Sequence, residues 1–440
     1  MATNFTQLII CLFAGVAIIV LLTARFHVHA FFALLIACFV VGLGVQMPFP
    51  AIMDAVKDGF GNIMRSLGLI IVLGTTLGII LEHTGSTRVL ASYILKLVGD
   101  RNAVLAMSIT GFIIGMPIFC DSGFIVLNGI NKSLAKRAGI SVAITSVALA
   151  TGLLSVHCLI PPHPGATSAA GIIGVDMGKL ILIGIIAALP SMLIGNLWAN
   201  YAGKRMEFIT AEEEVITEAV GKPPSVIKSF LPVIVPIILI AVRSFLTIEK
   251  SGGWLNIFSV LGEPAIALAI GILLAFNCGR NWTRSRVSKQ LQESAEKAGG
   301  ILVIIGAGGA FGAVLAATKI GEQFSAVLPL NALGLLFPFL ITLILKTAQG
   351  SSTVAIITAA SIVQPLLAAL GLETDKGKLL CVLSMGAGSM IISHANDAYF
   401  WVIAKFAGIN MKAMLKIYSI ATLLMGLITL LTVYLLSFIL

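Results

Sequence analysis

Two short polar stretches interrupt long apolar runs, and both contain side chains that could bind a small anion. They are residues 115–124 (Gly-Met-Pro-Ile-Phe-Cys-Asp-Ser-Gly-Phe) and residues 346–353 (Lys-Thr-Ala-Gln-Gly-Ser-Ser-Thr). A helix that restarts after such a break presents free N–H groups that carry about half a positive charge. Two such helix starts, with hydroxyl groups beside them, suit a carboxylate and its neighbouring hydroxyls. The candidate solute-binding residues here are Asp121, Ser122, Gly123, Lys346, Gln349, Gly350, Ser351, Ser352 and Thr353.

The alternative is that these small residues only let helices pack closely. The occurrence of such a stretch in both halves of the chain favours solute binding.

A second break in each half adds histidines and an acid. The first half has His157 and His163 among three prolines, and the second half has the phrase Ser-His-Ala-Asn that ends at Asp397. Imidazole titrates near neutral pH, so we expect His157 and His394, with Asn396, to line the same site. His163 lies between two prolines, and a hydrogen bond to a backbone carbonyl is its simplest role. The histidine spacings match no standard metal-ligand pattern, so we expect no metal and no other cofactor.

Asp121 and Asp397 are acids in long apolar surroundings, where a charge is costly and is usually functional. Removal from water favours the neutral form of a carboxyl group, which suits a group that loads and unloads a proton. Both are therefore candidate proton carriers, and the alternative is a structural carboxylate that caps the helix start beside it. Lys346 could meet the solute, neutralise either acid, or extend its ammonium toward water.

Membrane helices must position these residues. The chain has 440 residues, of which 58% are hydrophobic and 11% charged, and its mean hydropathy is +1.06. A soluble protein needs about 25% charged residues to cover its surface, which excludes that class. Apolar runs of about 15 to 25 residues recur from Leu8 to Leu440, near the length that crosses a hydrocarbon core of ~30 Å. The predicted fold class is an all-α polytopic membrane protein.

Other features suggest no further chemistry. The run Gly306–Gly312 lacks the Lys-Ser/Thr ending of a phosphate-binding loop, so we interpret it as a site of close helix packing. The six cysteines lie mostly in apolar segments without a CxxC pair, so neither disulfides nor a metal site is expected. The basic residues lie in short loops between apolar runs, and they indicate membrane topology and not nucleic-acid binding.

Four regions are predicted along the chain. Residues 1–54 form two N-terminal transmembrane helices, and residues 55–202 form a first repeat. Residues 203–298 contain a cytoplasmic linker, a central two-helix hairpin and a basic loop, and residues 299–440 form a second repeat. Two interrupted apolar segments occur in the same order in each repeat, and such pairs mark transporter sites.

The basic residues further predict that the repeats have opposite orientations in the membrane. If the first break of each repeat is a re-entrant hairpin and the second a broken crossing helix, most Lys and Arg fall on one side. The positive-inside rule makes that side cytoplasmic, and both termini then lie outside. A matching phrase follows the second break in each half, Ala170-Gly171-Ile172 and Ala407-Gly408-Ile409, and it supports the repeat.

Several of these phrases resemble the gluconate permease family of proton symporters, which also includes carriers for other sugar acids and for D-serine. The matching phrases are Phe119-Cys-Asp-Ser-Gly-Phe124, Val156-His157 with Pro161-Pro-His-Pro-Gly165, Gly306-Ala-Gly-Gly-Ala-Phe311, Gln349-Gly-Ser-Ser-Thr-Val-Ala355 and Ser393-His-Ala-Asn-Asp397. The resemblance extends over essentially the whole chain. It implies an ion-transporter-like fold in the bacterial inner membrane, with two hairpins that meet at the solute. Lys346 stands where sugar-acid members tend to carry Arg, and lysine cannot grip a carboxylate bidentately.

Together these observations predict a secondary active transporter, and not an enzyme, that imports gluconate or a related sugar acid with a proton. The alternatives are D-serine or D-glycerate as the solute, and sodium in place of the proton. The expected partners are a small organic anion, a proton and membrane lipid, without nucleic acid, and a homo-oligomer remains open. A passive channel and an intramembrane hydrolase are the rival classes, and no nucleophile or metal motif supports the hydrolase.

Overall fold

The computed structural model describes residues 5–99, 102–203, 224–245, 254–279, 282–319, 330–394 and 396–440. All regular elements within these ranges are helical. Most of the predicted linker, residues 204–223, lies outside the described residues, as do Arg280 of the basic loop and Ala395 in the second break of the second half.

The described helices are numbered here in chain order. Those before the linker are α1 (Phe5–Val20), α2 (Ala30–Gly44), α3 (Phe49–His83), α4 (Ser86–Val98), α5 (Ala103–Gly115), α6 (Cys120–Ala138), α7 (Val142–Leu159), α8 (Pro164–Ile173) and α9 (Met177–Gly203). Those after it are α10 (Val226–Phe245), α11 (Trp254–Leu261), α12 (Pro264–Phe276), α13 (Arg284–Ala317), α14 (Leu336–Gln349), α15 (Ser352–Val363), α16 (Asp375–Met390), α17 (Ala398–Ala407) and α18 (Met411–Ile439). A π-helical turn, Leu415–Ser419, lies within α18.

Seven helical stretches of the described residues are long and apolar enough to cross a membrane. Helix α13 illustrates how the sequence produces such a stretch. Its charged residues all precede Ala298, and the 20 residues from there to Ala317 carry no charge. Twenty residues at ~1.5 Å per residue reach about 30 Å, the thickness of the hydrocarbon core. The protein is an all-helical polytopic membrane protein, as predicted.

Helix α7 lies at the centre of the bundle. The most apolar part of the stretch Val142–Ile173 is entirely buried, and α7 packs against α5, α6, α9 and α16. Glycines allow this close approach, because a Cβ on Gly152 would collide with the carbonyl oxygen of Ser108, and one on Gly111 with that of Leu149. Lipid tails are as apolar as the side chains, so close contact of this kind holds membrane helices together.

The glycine run of α13 also serves close packing, as the sequence predicted. A Cβ on Gly59 of α3 would collide with the carbonyl oxygen of Gly309, and one on Gly306 would collide with the ring of Phe60. The backbones of α3 and α13 are therefore in contact, and this contact holds α13 beside the cavity described below.

The broken helices of the two halves end alike. Helices α8 and α17 each have 10 residues, and each is followed by a left-handed glycine, Gly174 at φ +80° and Gly408 at φ +67°. By its place after the broken helix, Gly408 therefore corresponds to Gly174, although the matching phrase in the sequence contains Gly171. Gly171 lies inside α8, where a Cβ would collide with the side chain of Leu67, so packing explains that glycine.

Candidate functional site

Helices α6 and α15 restart after the first break of each half. The Ser351 hydroxyl caps α15 by accepting a hydrogen bond from the Val354 N–H at 3.3 Å. Gly350 has a φ of +82°, and a Cβ there would overlap the carbonyl group of Asn396, so this turn requires glycine. The first residues of both helices line one cavity, to which each helix start contributes a partial positive charge.

The cavity has a volume of about 500 Å³, which is within the ~300–1,000 Å³ typical of small-molecule sites. Most of the predicted site residues line it, namely Asp121, Ser122, His157, Gln349, Gly350, Ser351, Ser352, Thr353, Asn396 and Asp397. Lys297, Ile301 and Ile304 of α13 complete one side of the wall. Residues from both halves of the chain thus meet at a single cavity.

Two polar side chains on the wall have buried atoms without a hydrogen-bond partner. These atoms are Nε2 and Oε1 of Gln349 and Nδ1 of His157. Buried polar groups are nearly always paired with protein atoms or ordered water, so these atoms are available to a molecule in the cavity. The other ring nitrogen of His157 lies 3.4 Å from the Thr353 hydroxyl, and this contact joins α7 of the first half to the start of α15.

Lys346 and Asp397 form a buried ion pair at the edge of the wall. The distance from Lys346 Nζ to Asp397 Oδ2 is 2.7 Å, and the side chains are 1% and 10% exposed. Lys346 also donates to the Gly350 carbonyl. Asp397 also accepts hydrogen bonds from the Ser393 hydroxyl and, at 2.9 Å, from the Tyr399 N–H. Of the roles left open for Lys346, the geometry corresponds to neutralisation of Asp397, and its side chain does not line the cavity.

Asp121 has a different environment. It is the second residue of α6, and its side chain is exposed to the cavity. The Cys120 thiol donates to its Oδ1 over 3.6 Å, and a thiol is a weak donor. No ion pair to Asp121 occurs among the described residues. The two acids that the sequence could not rank therefore have distinct environments, because Asp397 is paired with Lys346 and Asp121 is exposed to the cavity.

The remaining predicted residues support the wall from behind it. Gly123 faces α7, where a Cβ would lie 2.9 Å from the side chain of Leu153. His394 Nε2 and Asn396 Nδ2 both donate to the carbonyl of Thr347, at 3.2 and 2.7 Å. Gly123 and His394 are not among the residues that line the cavity, so their contacts position α6 and the second break.

Sequence reasoning missed Lys297, which it assigned to a cytoplasmic basic loop. Lys297, Ile301 and Ile304 have the spacing of one helix face, and that face lines the cavity. One signal was available, because Lys297 is the last charged residue before the apolar part of α13. That position in the sequence does not show that the Lys297 side chain lines the cavity.

The family match and the individual relatives of this chain agree with one another. A family model described as GntP family permease matches residues 7–439. A gluconate permease of Pseudomonas aeruginosa is 32% identical, over 97% of this chain and 96% of that protein. The inner membrane permease YgbN of Escherichia coli is 32% identical over 96% and 97%. The D-serine transporter DsdX of Escherichia coli is 30% identical over 97% and 98%.

Two solved structures share the fold at low identity. The YdaH transporter of Alcanivorax borkumensis aligns with a TM-score of 0.65 at 17% identity, over 88% of each chain. MtrF of Neisseria gonorrhoeae aligns with a TM-score of 0.63 at 15% identity, over 87% of this chain and 83% of that one. The relatives and the seven apolar helical stretches identify a multi-pass protein of the bacterial inner membrane.

Proposed function

This chain is a member of the GntP permease family, and on that premise we propose that it is a proton-coupled secondary transporter of a small hydroxycarboxylate. The proposed solute is gluconate or a related sugar acid. The relatives are permeases and transporters, which makes membrane transport the general function. The substrate, the coupling ion and the roles of the residues below are our proposals.

The observation that carries the proposal is the unpaired Gln349 amide beside two helix starts. A carboxylate would accept hydrogen bonds from the N–H groups at the starts of α6 and α15. The hydroxyl groups of a sugar acid both donate and accept, and the Gln349 amide and the His157 ring offer both functions. A sugar acid therefore has a carboxylate for the two helix starts and hydroxyl groups for the Gln349 amide and the His157 ring.

Charge balance favours Asp121 as the proton carrier. The buried pair leaves Asp397 with an opposite charge at 2.7 Å, whereas Asp121 faces the cavity without a paired cation. Two like charges about 5 Å apart repel by ~3 kcal/mol at an effective dielectric constant of about 20. A proton on Asp121 would remove this repulsion when the anion binds, and its release would restore the repulsion and expel the anion.

We further propose that the two halves are inverted repeats whose tips, the starts of α6 and α15, close on the solute. The broken helices recur in both halves, and the starts of α6 and α15 line the same cavity. His83 at the end of α3 lies 3.4 Å from Glu293 in the charged part of α13, so the end of α3 and the basic start of α13 lie on the same side. The positive-inside rule assigns that side to the cytoplasm.

The test is uptake of labelled D-gluconate into proteoliposomes with an imposed inward proton gradient in sodium-free buffer. Wild-type protein should accumulate gluconate, and a protonophore should abolish the accumulation. Asp121→Asn should lose accumulation but retain gluconate–gluconate exchange, because exchange needs binding without net proton movement. Asp58→Asn, an exposed acid on α3, is the matched control and should behave as wild type.

Three results would contradict parts of the proposal. Uptake that requires sodium would replace the proton as the coupling ion. Transport of D-serine or D-glycerate without competition by gluconate would replace the solute. Normal accumulation by Asp121→Asn would remove Asp121 as the carrier.

A further inference from the structure

Lys297 lies on the cavity wall at the boundary between the charged and apolar parts of α13. It is the one lysine or arginine on the wall among the described residues, since Lys346 is turned to Asp397. Its side chain is 43% exposed, so its ammonium meets both water and the cavity. We call the exposed part of the wall at Lys297 the mouth.

The ammonium of Lys297 is held by a weak, replaceable partner. Its Nζ lies 3.5 Å from Oε1 of Glu293, one helical turn earlier, and Glu293 is 39% exposed. The other oxygen of Glu293 lies 3.4 Å from His83 Nε2. Exposed pairs of this spacing contribute little to stability, and Glu293 has a second partner. A carboxylate that arrives at the mouth could therefore take its place beside Lys297.

Lys297 and Asp121 line the same cavity. An anion bound to Lys297 would thus lie in the cavity that also contains the proposed proton carrier. The side chains that follow Lys297 on the same helix face are Ile301 and Ile304. They offer no hydrogen bonds, so polar recognition on this side of the cavity depends on the lysine.

We propose that Lys297 is a specificity-determining residue that binds the carboxylate of the solute at the cytoplasmic mouth, in exchange for Glu293. This inference rests on the proposed function. It adds to the two helix starts a residue outside them that distinguishes an anion from a neutral polyol at the mouth. It also predicts opposite effects for the two members of the pair, because Glu293 competes with the solute.

The test compares initial uptake rates in right-side-out and inverted membrane vesicles, where the medium meets the periplasmic and the cytoplasmic face of the protein respectively. The probes are labelled D-gluconate and D-glycerate, with D-sorbitol as the uncharged competitor. In inverted vesicles Lys297→Gln should raise the KM for gluconate about tenfold, the usual loss when one charge-assisted hydrogen bond is removed, with little change in maximal rate. Lys297→Arg should restore most of the affinity, and Glu293→Gln should lower the KM.

The controls separate recognition from folding. Lys289→Gln removes an exposed charge from the same helix away from the wall and should leave the KM unchanged. Any inhibition by sorbitol should be the same in wild type and in Lys297→Gln, because sorbitol has no carboxylate.

An unchanged KM in Lys297→Gln would overturn the inference while leaving the proposed function in place. An equal rise in KM for Glu293→Gln would also overturn it, since that result indicates a structural role for the pair. Wild-type protein that carries neither gluconate nor glycerate would refute the proposed function and this inference with it.

Discussion

The buried pair of Lys346 and Asp397 permits a quantitative prediction. With side chains 1% and 10% exposed and 2.7 Å between the charged atoms, removal of one partner strands the other in a medium that solvates it poorly. For such a pair the loss is about 3–5 kcal/mol of unfolding free energy. We therefore expect losses of this size for Lys346→Met and for Asp397→Asn separately.

The double variant should cost far less than the sum of the two single variants. Replacing both members of a buried pair is often nearly neutral, although the Gly350 carbonyl would still lose the donor that Lys346 provides, which costs about 1–3 kcal/mol. Two independent losses would add to about 6–10 kcal/mol, and the pair predicts a coupling energy of about 3 kcal/mol or more.

The assay is unfolding of the purified protein by SDS in mixed micelles, followed by tryptophan fluorescence. Lys405→Met is the matched control, since Lys405 is exposed on α17 and its loss should change the unfolding free energy by less than about 0.5 kcal/mol. Single variants within that margin, or additive losses in the double variant, would refute the reasoning that the pair is buried and mutually neutralised.

Two further predictions concern the second-half tip. Gly350→Ala should abolish uptake, because its Cβ would overlap the carbonyl of Asn396. The control is Gly371→Ala, at φ +69° with open space around it, which should lose only the ~1 kcal/mol of a left-handed alanine and keep uptake. Equal effects of the two substitutions on uptake would contradict this account. Gln349→Leu should leave the unfolding temperature unchanged or higher, since its amide atoms have no partner to lose. The same substitution should raise the KM for gluconate more than the KM for D-glycerate. An equal rise in KM for both solutes would argue against recognition of the hydroxyl groups by Gln349.

The sequence predicts the breaks well because they have local causes. Gly115 and Pro117 end one apolar run, and Gly350 ends another, and in each case helix cannot continue through those residues without cost. The structure ends α5 at Gly115 and begins α15 at Ser352. Hydropathy likewise predicts the polytopic helical fold, since composition and run length require no knowledge of packing.

The partners of the charged groups could not be predicted in the same way. Lys346 and Asp397 are 51 residues apart, and from the sequence Lys346 was equally compatible with the solute, with Asp121 and with water. Lys346 was a candidate for the solute and is paired elsewhere, and for Lys297 the reverse holds. Its neighbours in sequence are charged, as in a solvated loop, but its helix face lines the cavity. Which side of a helix meets a cavity depends on packing against distant helices, and no local pattern encodes it.

The comparison of the two halves bears on the different roles that we propose for the two aspartates. Asp397 is the residue before α17, and His163 is the residue before α8. Asp397 is bonded to Lys346 at the end of α14, and His163 donates to the Gly115 carbonyl at the end of α5 at 2.6 Å, as predicted for that histidine. In both halves this position therefore fastens the second break to the first.

Asp121 occupies a different position, the second residue of the helix that restarts after the first break, where the other half has Thr353. Both of these side chains line the cavity. Thr353 contacts His157 of the other half, whereas Asp121 has no such contact with another break among the described residues. Since only the first half carries an acid here, the two tips differ in charge, and a proton can change the charge of one tip alone. This asymmetry favours Asp121 over Asp397 as the coupling residue, because protonation of Asp397 would also break the pair that holds α14 and α17 together.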